Sequence, residues 1–449
     1  MTLPSSNTPS SAESGEPRQR TRSCATELVC HRCQKRYPLS DRTYACPECG
    51  KGLDIEYDYE KAAKHFKDVP PEQRPQNVWH FEELLPILDA RAQARVGKHA
   101  GYTPLIKADR LGAELGIARL YIKDDSTSRP SLSYKDRVVS MSVARLLELG
   151  REEIGCVSTG NVGTAVASLA AAAGVKASYV VYPNRLEPQK ARACAALGAK
   201  VFQVEGNYDE ANRRSKEVAQ ATGMEFANIT LRPFYAEGAK TEAFEIVEQL
   251  GWKAPDHIVS PAAGGTLSSR MHKGLVELQT TGLAETDGTR IHIAQPSGCN
   301  PIASAILAEE AEVHAVTPET AAHSLAIGAP GDGYLVIDAV RKRGGTGGYA
   351  TDPEIFAGID LLARTEGLLT EPAGGTTVAV LGQLSSAGMF GAEETVVAVI
   401  TGNGLKTLDE HPQHPWPDEI ACELEPMLQA LEGLGRTGTL AAAHAKQPA

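Results

Sequence analysis

Between residues 154 and 295, short runs rich in β-branched residues alternate with alanine-rich stretches of helical length. No other feature of the chain constrains its fold as strongly. Residues 154–157, 178–181 and 200–204 read as strands, and 162–173, 188–197 and 209–221 as the helices between them. Residues 257–259 and 291–293 continue the theme, and 395–400 supply a late, wholly apolar strand. A helix after each strand returns the chain to the same edge, so successive strands run parallel and helices cover both faces of the sheet. The expected class is α/β.

At 449 residues the chain has room for more than one such unit, at about 150 residues per domain. The longest apolar runs, such as 166–175, are far shorter than a membrane span, and no arginine-flanked apolar segment reads as a secretory signal. A net charge of −11 argues against non-specific nucleic-acid binding. Nine cysteines are an odd number, unsuited to a closed disulfide framework. Cys24, Cys156, Cys194, Cys299 and Cys422 are scattered, as free thiols in a reducing cytoplasm would be. Residues 1–23, rich in Ser, Pro, Thr, Arg and Glu, are expected to be a disordered tail, and 426–449 a second loose tail.

The other four cysteines cluster as Cys30-x2-Cys33-x12-Cys46-x2-Cys49. Four thiolates at these spacings reach tetrahedral geometry around one Zn²⁺, and a segment this short needs the metal to fold. Two redox pairs are the competing reading, but no thioredoxin-like strand pattern surrounds either one. With four protein ligands and no open position, the zinc is expected to be structural, in a ribbon over residues 24–58 that docks on the body of the protein.

In parallel α/β sheets, ligands bind beyond the carboxyl ends of the strands. Three small-residue loops occupy that place here: Ser158-Thr159-Gly160-Asn161, Ala262-Ala263-Gly264-Gly265-Thr266 and Thr401-Gly402-Asn403-Gly404. The first suits a carboxylate at a helix N-terminus, from Ser158 and Thr159, while Asn161 can donate to a phenolate oxygen; an ordinary helix cap explains the same residues and does not conflict with it. In the second, the amides of Ala263, Gly264, Gly265 and Thr266 can wrap a phosphate. Upstream stands Ser131-Leu132-Ser133-Tyr134-Lys135-Asp136-Arg137. Alone, this segment reads as a charged helix start with a solvated lysine. Beside the three loops, Lys135 reads as the amine that binds the aldehyde of pyridoxal 5'-phosphate, its pKa lowered by burial and nearby cations. Thr401 would then face the pyridine nitrogen. A neutral hydroxyl there leaves that nitrogen unprotonated and favours elimination and replacement over transamination.

In this order, and after the ribbon, the motifs resemble threonine synthases of the fold-type II pyridoxal-phosphate family. The resemblance runs from about residue 28 to 409 and includes Gly101-Tyr102-Thr103-Pro104-Leu105, Tyr134-Lys135-Asp136-Arg137-Val138-Val139, Tyr235-Ala236-Glu237-Gly238-Ala239-Lys240-Thr241, Ser324-Leu325-Ala326-Ile327-Gly328, Ala363-Arg364-Thr365-Glu366-Gly367 and residues 401–406. It implies a tryptophan synthase β-like fold: two parallel-sheet α/β domains with the cofactor between them, within a core of residues 59–425 whose smaller subdomain spans about 136–245. It implies a lyase that converts O-phospho-L-homoserine and water to L-threonine and phosphate, with Lys135 as base. Lys190 matches a phosphate-contacting lysine of the family, and Arg232 and Lys240 are candidates by placement. A homodimer is implied as well.

The chain departs from the family pattern at Ala263-Gly264-Gly265-Thr266, where many relatives have Gly-Asn-x-Gly-Asn. Ser131-Leu132-Ser133-Tyr134 stands for Thr-Gly-Ser-Phe, Val162 replaces a hydroxyl residue, and Glu371-Pro372 replaces Glu-Thr. These differences keep alternatives open. They are a specialised paralogue, a cysteate synthase-like β-replacement enzyme acting on O-phosphoserine, and a catalytically silent cofactor-binding protein or ribbon-based binding module. Retention of Lys135, Asn161 and Thr401 weighs against the last.

Overall fold

The computed structural model describes residues 19–158, 160–183 and 188–411. The described residues up to Leu408 form one compact unit. The expected core boundary at 425 and the tail beyond it lie outside the described residues, as do residues 1–18 of the N-terminal tail. Residues 19–23 are tied down, contrary to the expected tail: Arg20 bridges Asp89, and the Thr21 amide donates to the Leu88 carbonyl at 3.1 Å.

The chain opens with a small antiparallel sheet, β1 (Ala25–Cys30), β2 (Arg36–Pro38) and β3 (Leu53–Tyr57), in the order β2-β1-β3. Along β3, Leu53, Ile55 and Tyr57 are buried and the residues between them are not, the period of two that one covered face requires. Cys30, Leu53 and Ile55 belong to the same buried apolar cluster as Val138, Ile154 and Ile258, so the module shares the core of the body.

Next come β4 (Leu105–Lys107) and β5 (Arg119–Asp124), then a run of four strands: β6 (Glu153–Val157), β7 (Ala177–Pro183), β8 (Lys200–Val204) and β9 (Glu225–Phe226). These four form a wholly parallel sheet in the order β8-β7-β6-β9. The remaining strands, β10 (His257–Pro261), β11 (Arg290–Pro296), β12 (Gly347–Ala350) and β13 (Thr395–Ile400), join β5 and β4 in a sheet ordered β12-β11-β10-β13-β5-β4. Only its β4 edge is antiparallel. β10 is buried throughout and β13 from Val396 on, which explains why β13 reads as a continuous apolar run. The predicted helices are found at Asn161–Ala172, Pro188–Ala196 and Tyr208–Thr222.

One helix the periodicity did not reveal, Lys135–Glu148, is buried from Asp136 to Leu146. Its polar residues are inside because each has a partner. Ser142 Oγ donates to the Ala227 carbonyl at 3.1 Å, and Arg145 Nη2 to the Leu39 carbonyl at 2.9 Å. Arg137, fully buried, reaches Asp125 through Nε at 2.7 Å and Glu245 through Nη2 at 2.8 Å, and Lys123 also pairs with Glu245 at 2.7 Å. Gly238 permits this approach, since a Cβ there would run into the Arg137 carbonyl oxygen. Among the described residues no helix is long and apolar enough to cross a membrane.

Candidate active site

The turn ahead of Lys135 is held by the segment leaving β13. The Tyr134 amide donates to the Thr401 carbonyl at 2.9 Å, the Asn403 amide to the Leu132 carbonyl at 3.1 Å, and Ser133 bridges Gly402. Leu132 sits at φ +57°, left-handed backbone that a leucine rarely adopts. Lys406 stabilises the turn: its Nζ donates to the Ser131 carbonyl at 3.1 Å, the Leu132 carbonyl at 2.9 Å and Asn161 Oδ1 at 2.9 Å.

So held, Lys135 opens its helix with Nζ 2.7 Å from Tyr134 Oη and 4.2 Å from the centre of that ring. Burial, reinforced by the charge of Arg232 and opposed by Glu371, brings the ammonium pKa down from 10.5 to about 7. A large fraction is therefore neutral amine near neutral pH, the form that can take a proton or attack an aldehyde. Burial pushes the Tyr134 phenol up, so its hydroxyl keeps its proton.

After β6, Ser158 Oγ accepts from the amides of Gly160 and Gly163, each at 2.9 Å, which fixes the helix start. Asn161 Nδ2 donates to Glu371 Oε2 at 2.6 Å. After β10, Gly265 adopts φ +94° directly before the Thr266–Thr280 helix. A Cβ there would lie 2.9 Å from Val336 Cγ2 and 3.1 Å from the Asp332 backbone, whereas one on Gly264 would meet only Ile327, at 3.6 Å. Thus the loop is packed on one side and open on the cavity side, with first-turn amides that lack intrahelical acceptors. Arg232 Nη2 donates to Thr266 Oγ1 at 2.6 Å and pairs with Asp332.

These loops converge on a cavity of about 560 Å³. Lys135, Ser158, Asn161, Arg232 and Thr401 line it, and so does the run Ala263, Gly264, Gly265 and Thr266. Thr159 lies outside the described residues. Lys190 is buried behind this wall: its side chain runs against Gly160 and its Nζ pairs with Glu371 at 3.0 Å. Lys240 does not belong to the site. It is fully buried between Glu237 (2.6 Å) and Glu277 (2.8 Å), with its ammonium 3.9 Å from the centre of the Tyr57 ring, so its charge is spent inside the body.

Glu371 and Lys406 both support the Asn161 side chain. Burial alone would push the Glu371 carboxyl up, but Lys190 and Lys406 outweigh it and hold the pKa low. This anchor orders Asn161 from behind. Its signal in the sequence was an acid at a helix start beside small residues, which gives no hint of its partners. The Tyr134 hydroxyl, visible in the sequence as a departure, is the polar atom beside the lysine.

The residues present fit pyridoxal phosphate. A neutral lysine, an open glycine turn at a helix start and the Asn161 and Thr401 side chains face one cavity of suitable size. The cysteine cluster likewise fits zinc. Cys30, Cys33, Cys46 and Cys49 are free thiols whose sulfurs lie within 4.8 Å of one another. Three Sγ–Sγ separations are 3.4, 3.5 and 3.8 Å. A Zn–S distance of about 2.3 Å puts tetrahedral sulfurs about 3.8 Å apart.

Comparison with known proteins gives the same reading. The family described as pyridoxal-phosphate dependent enzyme matches residues 96–402. The threonine synthase of Methanocaldococcus jannaschii is 34% identical over 407 residues, covering 90% of this chain and 99% of its own. That of Methanosarcina acetivorans is 34% identical over 383 residues, 84% of this chain and 92% of its own. Among solved structures, a pyridoxal 5'-phosphate-dependent aspartate racemase superposes with a TM-score of 0.60 at 21% identity, covering 72% of this chain and 96% of its own, and so shares the fold. With its two sheets, its cavity lysine and these relatives, the chain belongs to the fold-type II pyridoxal-phosphate dependent enzymes, and among them to the threonine synthase family.

Proposed function

We propose that this enzyme converts O-phospho-L-homoserine and water to L-threonine and phosphate. The observation that carries the proposal is the placing of Lys135, whose pKa burial lowers, and the Arg232 guanidinium on the wall of one cavity. A base and a fixed cation are what a phosphorylated amino acid needs if it is to lose an α-proton and then a phosphate. The names of the relatives support the choice of substrate.

Bound pyridoxal phosphate would supply the electron sink that makes the Cα–H bond acidic. Ala263, Gly264, Gly265 and Thr266 would hold its phosphate, Asn161 its phenolate oxygen and Thr401 its ring nitrogen. Ser158 and Thr159 would take the substrate carboxylate. Lys135 removes the α-proton and then shuttles protons at Cβ and Cγ. Phosphate departs from Cγ with the bonding electrons, drawn toward Arg232, and Cγ becomes the methyl group. Water adds at Cβ to leave the hydroxyl. Lys190 sits behind Gly160, so it acts on the site through Glu371 and Asn161. In this reading the zinc is structural.

Two incubations test the proposal: the cofactor-loaded enzyme with O-phosphohomoserine, and separately with O-phosphoserine. Release of phosphate together with threonine from the first is the expected result. Phosphate release only from the second would assign a β-replacement enzyme instead. Lys135→Ala is expected to lose the visible absorbance of the bound cofactor and all turnover.

A further inference from the structure

The four-cysteine module supplies part of the cavity wall. Tyr44 and Ala45, which precede Cys46, and Gly50, which follows Cys49, line the same cavity as Lys135. Tyr44 is buried where the module meets the Tyr208–Thr222 helix, and Gln220 Nε2 donates to its hydroxyl at 3.3 Å. That helix also places Asn212 and Lys216 on the cavity. Gly50 and Lys216 are exposed, whereas Thr401 is buried. Lys135 is half-buried, and Gly50 and Lys216 mark the outer rim of the cavity and Thr401 its interior.

The knuckle is held from both sides. Toward the smaller sheet, Arg42 Nε donates to Glu225 of β9 at 2.9 Å. Toward the larger one, Asp54 accepts from Arg270 and Lys273 of the Thr266–Thr280 helix, each at 2.5 Å, and Lys51 lies 5.2 Å from the centre of the Tyr334 ring. Between these anchors, residues 44–50 contain neither helix nor strand. Two backbone bonds, Cys46 N to the Lys51 carbonyl and Gly50 N to the Cys46 carbonyl, each 2.8 Å, close the turn around its two thiols. A turn of that kind keeps its shape when the thiolates share a metal.

We propose that this metal-organised knuckle is the specificity wall of the active site. Tyr44 and Ala45 close the outer end of the cavity and set the affinity for the distal, phosphorylated end of the substrate, with no part in bond making. The proposal rests on the reading of the cavity as a site for a phosphorylated amino acid. Its consequence is that occupancy of the metal site controls KM while leaving the chemistry at Lys135 in place.

Two variants of opposite volume test it, Tyr44→Ala and Ala45→Phe, each prepared as holoenzyme. Zinc content per chain and the visible absorbance of the cofactor are measured first. Then kcat and KM are determined with O-phosphohomoserine, and the affinity for inorganic phosphate by calorimetric titration. The expected result is wild-type zinc and cofactor absorbance, KM raised about tenfold, kcat within about threefold, and phosphate binding weakened in parallel. Wild-type enzyme stripped of zinc by a chelator, its cofactor band retained, should show the same rise in KM. Unchanged KM and phosphate affinity in both variants would overturn the proposal. So would a joint fall of kcat and cofactor absorbance at constant KM, the mark of a merely structural module. If Tyr44→Ala loses zinc on its own, Ala45→Phe and the chelated wild type decide. Should the wild type make no threonine, the reading of the substrate fails, and the phosphate titration still decides on the wall.

Discussion

At Lys135, burial, the Arg232 guanidinium and the Glu371 carboxylate together fix the state of one nitrogen, and burial is the largest influence. The proton balance follows in sign. A lysine whose pKa falls from 10.5 to about 7 on folding is charged in the unfolded chain and largely neutral in the folded one between those values. It therefore destabilises the apoprotein fully below pH 7, and that cost fades as pH rises toward 10.5. Arg232→Gln removes the second cause of the shift, so the pH midpoint for capture of added pyridoxal phosphate by the apoenzyme should move upward from about 7. Stopped-flow growth of the visible band at a series of pH values measures it, and an unmoved midpoint would assign the shift to burial alone. The lysine and its loops were legible because glycine, hydroxyl and amide residues stand directly after apolar strands. Lys240 was misread for a physical reason. Glu237, three residues before it, was in view, but Glu277 is brought to it only by tertiary packing.

Among the elements, the repeating strands and helices of the smaller sheet were legible within one or two residues at most boundaries, because short β-branched runs alternate with alanine-rich or charged stretches of helical length. The Lys135–Glu148 helix was not. It is buried nearly all round, and its arginines and serines disguise the fact because their partners come from distant segments. Arg137 is the centre of that arrangement, taking Asp125 and Glu245 into the core with it. Arg137→Met should leave two buried carboxylates short of a cation and destabilise the protein by about 3–5 kcal/mol. Urea unfolding of the apoprotein, followed by far-UV circular dichroism, measures the loss. β9, two residues long, carries too little pattern to be seen in advance.

For the whole molecule, the four-cysteine cluster was legible from spacing alone, and its docking on the body was expected. Its place on the cavity was not, since nothing in Tyr44 or Ala45 marks them as lining a distant site. Cys46→Ser removes one of four clustered thiols and should lower both the zinc content and the melting temperature. Atomic emission and differential scanning calorimetry check the two together. A variant that keeps its melting temperature after losing its metal would show that the module's shared apolar core is sufficient to hold it.

The position of β13 has a consequence for how the chain is made. This strand lies in the interior of the larger sheet, between β10 and β5, yet among the described residues it is the last strand in chain order. Lys406, just beyond it, bonds the Ser131 carbonyl 275 residues earlier. On the ribosome the smaller sheet can therefore assemble early from neighbouring segments, while β5 waits, unpaired on one edge, until residues 395–400 have been made. Lys135 is therefore translated long before the segment after β13 that holds its turn.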